Sequence, residues 1–345
     1  MKVSVAICTY NGEKYIEKQL KSIMEQTRKV DEIIISDDNS KDSTLLLCEE
    51  ILKDNEINYR IIKNKKALGV MKNFQQCFSL CNGDIIFSCD QDDMWEPNKV
   101  EVMEMHFQNQ PNISLVASDA TLIDATDKEM NLSLKQSLGF DVDEEHPIFN
   151  SLLRTYCITG ATMVFRKKFQ EQYFHVSEYW LHDGYLALVA AMQDGLLYLN
   201  QKLTRYRLHG NNECGVGNVD LLMSGTTNQL HKARERGVVK TSLRSPFYFE
   251  DFAQERMKMY EEIKTQFEIN GWEAKPLHMV ELARCIEFWN ERKNIRHMSR
   301  KECCNMIRRM KTNNEYEKYS ESLKYSFFDK YFWMVYKLIP RGSKK

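Results

Sequence analysis

Five short β-branched runs, at residues 3–8, 32–36, 59–62, 84–88 and 113–117, alternate with helical patterns through the first third of the chain. This alternation is the rhythm of a mainly parallel α/β sheet, since a parallel neighbour needs a crossover long enough to carry a helix. Between the first two runs Ile16, Leu20, Ile23 and Met24 recur at helical spacing, and Phe74, Cys77, Phe78 and Cys81 do the same between the third and fourth. Each helix therefore offers one apolar face to the sheet. Ile33-Ile34-Ile35 and Ile85-Ile86-Phe87 do not alternate with polar residues and read as strands covered on both faces. In open sheets of this kind ligands bind beyond the carboxyl ends of the strands. Three polar clusters fall there: Thr9-Tyr10-Asn11, Asp37-Asp38-Asn39-Ser40 and Asp90-Gln91-Asp92-Asp93.

Further along, the stretch 120–150 is polar and reads as irregular. A strand is predicted over 159–165, a helix over 182–192 and a strand pair around 196–208. Residues 211–245 are rich in Gly, Asn and Ser, and a basic, aromatic, helical region follows. The expected organisation is a catalytic domain over 1–215, a flexible linker over 216–245 and a helical extension over 246–345. The total charge of −1 argues against a general nucleic-acid binder, but it hides an asymmetry. Residues 1–230 carry 23 basic and 33 acidic side chains, whereas 231–345 carry 25 and 16.

Ten cysteines occur without a CxxC pair, mostly inside apolar stretches, and read as reduced core residues. The N-terminus lacks the pattern of a signal peptide, and no run approaches the ~20 apolar residues that span a bilayer. The expectation is a cytoplasmic protein, or one peripheral on the cytoplasmic membrane face. Residues 325–339, YSFFDKYFWMVYKLI, mix aromatic and basic side chains. They suit either the interface of an anionic membrane or a helix packed on protein.

Asp90, Asp92 and Asp93 close a buried strand and would repel one another unless a cation joined them. Magnesium or manganese, held by one or two carboxylates and substrate phosphates, fits that need. The plainer alternative is a strand-end turn ahead of a helix that starts near Pro97. Asp37 and Asp38 admit two readings as well. Ser40 or Asp42 can simply cap the next helix, or a carboxylate here can accept a hydrogen bond from a pyrimidine imide. Tyr10 either packs or offers its face to the base.

Taken in order, VSVAICTYNG (3–12), IIISDDNSKDST (33–44), LGVMKNF (68–74) and GDIIFSCDQDDMWEP (83–97) resemble the nucleotide-sugar half of glycosyltransferase family 2. TGATMVFR (159–166), HDGYLALVAA (182–191) and RYRLHGNN (205–212) are similar to its rhamnosyltransferase-containing branch. The resemblance, which covers about residues 1–215, implies an inverting enzyme of the GT-A fold; the region beyond it reads as a helical C-terminal extension. It implies that a sugar moves from a UDP- or dTDP-sugar to a hydroxyl of a surface glycan, on a lipid-linked acceptor if the basic region meets membrane. Thr9, Tyr10, Asn11, Asp37 and Asp38 match base-binding positions, and Lys72, Asn73, Asp90 and Gln91 border the donor. Asp90 and Asp92 match the pair that holds a divalent ion, with His209 as a further candidate ligand. Asp93 and His182 fall on the acceptor side, and Asp183 matches the catalytic base. Two positions depart from the pattern: Asn39 stands where glycine is usual, and Gly184 where a bulky aromatic is frequent.

Two other classes compete with this reading. A non-catalytic scaffold on the same fold would bind without turnover, but it would be expected to have lost the base-binding acid, the paired aspartates or Asp183. A nucleotidyltransferase would need a Gly-rich basic loop where Thr9-Tyr10-Asn11-Gly12-Glu13 stands.

Overall fold

The computed structural model describes residues 1–140, 142, 148–155, 157–175, 177, 179–209, 246–320, 326–327, 329–331 and 333–334. The predicted linker over 216–245 and all of 335–345 lie outside them. The chain divides into two compact units, Met1–Val142 with Cys157–Gln229, and Asp143–Tyr156 with Leu230–Lys345.

The first unit is built on a nine-stranded sheet in the order β3-β2-β1-β4-β8-β6-β9-β5, with β7 paired to β6. Its parallel half holds β1 (Val3–Thr9), β2 (Glu32–Asp37), β3 (Asn58–Lys63) and β4 (Ile85–Asp90). Every residue of β2 is buried, as its unbroken isoleucines require, whereas β3 lies at the edge and is largely exposed. Helices α1 (Ile16–Met24), α2 (Thr44–Leu52) and α3 (Val70–Leu80) make the crossovers. α1 buries Ile16, Leu20 and Ile23, and α3 buries Phe74, Cys77 and Phe78, as their spacing predicts.

Beyond β4 the sheet becomes mixed. After β5 (Met94–Trp95) and α4 (Lys99–Asn109) the chain forms β6 (Leu115–Ile123), β7 (Glu129–Ser133) and the short helix α5 (Leu134–Leu138). The stretch from 120 is thus more regular than its polarity suggests, because β7 hairpins back on β6 with Asp127 at φ 72° in the turn. The strand predicted over 159–165 is a 3-10 turn, Gly160–Thr162, followed by β8 (Met163–Arg166). β8 runs antiparallel between β4 and β6, so β6 shares the direction of β4 without touching it. Helix α7 (Lys167–Tyr173) follows, then α8 (His182–Met192), and β9 (Leu196–Arg207) closes the sheet. β9 is one bulged strand, not the strand pair predicted around 196–208: its register on β6 shifts on either side of Asp119. All eleven residues of α8 are buried, an interior helix whose polar residues His182 and Asp183 lie at its N-terminal end.

The second unit is helical. It takes α6 (Ile148–Arg154) from the middle of the chain together with α9 (Pro246–Asn270), α10 (Pro276–Lys293), α11 (Arg300–Thr312) and α12 (Glu315–Tyr319). α6 is therefore not part of the continuous domain expected over 1–215. The Tyr260 hydroxyl donates to the Leu153 carbonyl at 2.8 Å, and Phe149 stacks on His278 at 3.9 Å. Ser299 and Glu302 form a capping box that starts α11. At the core of this unit Arg292, fully buried, donates to both oxygens of Asp329 at 2.9–3.2 Å, and the Tyr316 hydroxyl adds a bond at 2.6 Å. Within the aromatic segment 325–339, Ser326 and Asp329 are thus packed inward, while Phe327, Tyr331 and Met334 stand exposed. No helix among the described residues is long and apolar enough to cross a membrane.

Of the cysteines described, Cys304 is exposed and Cys8 half-buried, so those two depart from the expected core placement; the other seven are buried, and all are free thiols.

Candidate active site

The parallel register puts the three polar clusters on one rim. Thr9 pairs with Asp37 and Cys8 with Asp90, so the ends of β1, β2 and β4 stand side by side. Within that rim, some predicted residues shape the site and others face it.

Asp37 is fully buried, accepting from the Thr9 hydroxyl at 2.9 Å, from the Ser40 amide at 2.9 Å and from the Ser40 hydroxyl. Thr9 is likewise buried. Both side chains are consumed by each other and by the turn, which removes them from direct base contact. Asn73 is a second correction: its amide sits inside α3, accepting from Ser36 at 2.7 Å and Asn64 at 2.9 Å and donating to the Ser36 carbonyl at 2.9 Å. It braces β2 instead of bordering the donor, whereas Lys72 beside it is exposed.

Asp38 holds the loop ahead of α3. One carboxylate oxygen accepts from Asn64 at 3.1 Å and the Leu68 amide at 2.6 Å, the other from the Gly69 amide at 2.9 Å. A carboxylate has about four lone-pair directions, so one remains for a ligand N–H. Tyr10 is 52% exposed beside it. Asn39 adopts φ 72°, a left-handed conformation that asparagine tolerates, which explains why it can replace the usual glycine. Asn11, at φ 49°, donates its amide to Ser40 and accepts from the Lys41 amide, locking the first loop onto the second. Gln91 bonds both backbone groups of Tyr10, at 2.9 and 3.0 Å. It occupies the space a Cβ at Gly12 would fill, 2.1 Å from its oxygen, so a side chain at that position would have to displace Gln91.

The acidic cluster is electrostatically loaded. Burial, then the charges of Asp92 and Asp183, push the Asp90 carboxyl up to about 8. Burial, then the charges of Asp92 and Asp90, raise Asp93 well above the usual carboxylate range. Asp93 is 2% exposed and accepts from the Arg207 amide at 2.8 Å, while its other oxygen has no partner among the described residues. One of its oxygens is thus turned to β9. Asp92 meets Nε2 of His209 at 2.8 Å, and its carbonyl accepts from Arg207 Nε at 2.6 Å. Tyr15 supports both partners, stacked on His209 at 5.0 Å and beneath the Arg207 guanidinium at 4.6 Å. The His209 nitrogen predicted as a metal ligand is thus directed at Asp92. Among the described residues no three such side chains already converge on a common point. Two half-buried carboxylates, one of them raised by burial and by the charges beside it, nonetheless suit an ion that also needs oxygens from a diphosphate.

Asp183 lies in the first turn of α8, one residue past its start, so it is not the N-cap. Its two oxygens accept from the Gly160 amide at 3.1 Å and the Gly184 amide at 2.7 Å. His182 stacks on Phe74 at 3.9 Å and is 4% exposed, with neither ring nitrogen bonded; burial lowers its pKa and keeps it neutral. Its Nε2 lies 2.6 Å from where a Gly160 Cβ would stand. Gly160→Ala is accordingly expected to force His182 off Phe74, at about 1–3 kcal/mol of stability, and to lower transfer at least tenfold by shifting the Gly160 amide from Asp183. Thermal unfolding and initial rates check this, and an unchanged rate would show that the turn has freedom to move.

One residue of this region escapes the sequence reading. Lys99, the first residue of α4, is fully buried and donates to the Ala161 carbonyl at 2.8 Å and the Thr204 hydroxyl at 2.9 Å. A lysine in the first turn of a helix, where the dipole disfavours a cation, is the signal that marks it.

The sheet and the rim together define a GT-A glycosyltransferase. Residues 4–174 match the family described as Glycosyl transferase family 2. The dTDP-rhamnosyl transferase RfbG of Shigella flexneri is 33% identical over 222 residues, covering 61% of this chain and 74% of that protein. The Escherichia coli UDP-Glc:alpha-D-GlcNAc-diphosphoundecaprenol beta-1,3-glucosyltransferase WfgD is 24% identical over 215 residues, 61% and 80% of the two chains. Among solved structures, S. aureus TarS 1-349 in complex with UDP superimposes with a TM-score of 0.52 at 16% identity, covering 83% of this chain and 90% of that one. The chain belongs to glycosyltransferase family 2.

Proposed function

We propose that this glycosyltransferase moves a hexose or deoxyhexose from a UDP- or dTDP-sugar to a hydroxyl of a surface-glycan acceptor, by a single displacement that inverts the anomeric centre. The observation that carries the reading is the placement of Asp183. Its charge acts on Asp90, and the Gly160 and Gly184 amides aim its two oxygens.

Asp183 accepts the proton of the acceptor hydroxyl as the oxygen attacks the anomeric carbon. The bond from that carbon to the diphosphate breaks on the opposite face, so no protein nucleophile is needed. Asp38 and Tyr10 seat the pyrimidine, the former through its remaining lone pair and the latter through its open ring face. Asp90 and Asp92 would hold a magnesium or manganese ion, with His209 setting the orientation of Asp92. When bound, that ion neutralises the charge that develops on the departing diphosphate.

A donor screen tests the assignment. The purified protein, given UDP-, dTDP- and GDP-sugars with each metal, is expected to release nucleoside diphosphate from a pyrimidine donor only when the metal is present. Chelator should abolish the release. Preference for a GDP-sugar would remove the role given to Asp38, and full activity in chelator would remove the role given to Asp90 and Asp92.

The basic surplus of residues 231–345 supports a peripheral location on an anionic, cytoplasmic membrane face, with a lipid-linked acceptor. Lys330 is exposed on the segment whose other side is anchored by Asp329. Lys330→Glu should weaken flotation with anionic vesicles relative to neutral ones; equal flotation with both compositions would discard the membrane reading.

A further inference from the structure

Lys99 breaks two rules at once: a fully buried ammonium, and a cation at the start of a helix. Such conflicts between local rules and the fold concentrate at functional sites. The ammonium is well satisfied by the Ala161 carbonyl, the Thr204 hydroxyl and the face of Trp95 at 4.3 Å. These three partners come from the 3-10 turn, β9 and β5, so one group ties together three elements that meet behind the rim. Ala161 directly follows Gly160, whose amide aims Asp183.

We propose that Lys99 is a positioning residue of the transfer reaction, clamping the Gly160–Ala161 turn against β9 so that the Gly160 amide holds Asp183 in line with the acceptor hydroxyl. This rests on Asp183 being the base. The clamp acts on the geometry of proton removal and not on the nucleotide, which binds at the far end of the rim. Neutralising it therefore separates turnover from donor binding.

The test uses the full chain and reads nucleoside diphosphate released from the donor that the screen selects. Lys99→Met keeps length and apolar bulk while removing both hydrogen bonds. It is expected to lower kcat about 30-fold with donor Kd changed less than about threefold. Thr204→Val, which removes one of the two acceptors, should lower kcat by a smaller factor in the same direction and serves if Lys99→Met does not fold. In an Asp183→Asn background, Lys99→Met should cost less than about threefold more, because a residue acting through Asp183 has nothing left to act on. A residue that merely supports the fold would instead multiply the two losses. Lys99→Met or Thr204→Val at the parent rate beside an inactive Asp183→Asn would overturn the clamp alone. Asp183→Asn at the parent rate would overturn the base assignment and the clamp with it.

Discussion

Asp183→Asn is expected to lower kcat by roughly 10²–10⁴, the usual worth of a positioned general base, while leaving donor affinity essentially intact. The carboxylate has no contact with the base-binding end of the rim, so the loss should fall on kcat rather than on the donor KM. The substitution is close in shape but not silent. Asp183 accepts from two amides, one on each oxygen, whereas an asparagine has a single carbonyl oxygen. One of the Gly160 and Gly184 amides must then face an NH₂ group, at about 1–3 kcal/mol for an unmet buried donor. A thermal unfolding curve therefore belongs beside the rate measurement. Donor binding by calorimetry, with transfer lost and the fold retained, is the expected combination; transfer at the parental rate would dismiss Asp183 as the base. Loss of donor binding together with activity would place Asp183 on the donor side of the site.

The parallel half of the sheet and its rim are legible in the sequence because both rest on local rules. Buried strands without alternation, amphipathic crossovers and polar residues just past each strand need no long-range information. Asn39 illustrates the limit of pattern alone: it departs from the usual glycine, yet a left-handed φ of 72° shows that the turn is preserved. What the sequence does not reveal is set by pairing between distant segments. β8 enters antiparallel between β4 and β6, and nothing in MVFR says which neighbours it will have. The same holds for α6, which is sequentially inside the first unit but buries Phe149 and Leu153 with the C-terminal helices. At the site, residue type identified the carboxylates but not the direction of each. Thr9, Asp37 and Asn73 turn inward because neighbouring hydroxyls and amides use up their hydrogen-bonding capacity, and Asp93 because β9 offers the Arg207 amide. Lys99 is marked in the sequence only by its place in a first helical turn, because its partners are a backbone carbonyl and a threonine far along the chain.

Asp329→Ala is expected to destabilise the helical unit by about 3–5 kcal/mol, because it leaves a buried guanidinium without its counter-charge. Arg292 and Asp329 are both fully buried, and the pair is bidentate with Tyr316 as a third member. The rings of Phe288, Trp289 and Tyr316 lie 4.7–5.7 Å from the guanidinium carbon, so water has little access to replace the lost carboxylate. Such a loss should lower the unfolding midpoint of this unit by more than about 10 °C. The compensating variant Arg292→Met with Asp329→Leu should recover most of the stability, since an apolar replacement of a buried pair is frequently neutral or better. A midpoint for Asp329→Ala within about 2 °C of the parent would mean that the pair is not closed in solution. This ion pair also decides how the membrane reading must be tested. Cutting the chain after Ser320 would remove Asp329 along with the aromatic and basic side chains, so lost vesicle binding would report unfolding as readily as lost lipid contact. Lys330 is exposed. Changing that side chain alters the outward charge while leaving the anchor of the segment in place, so flotation then reports on the surface alone.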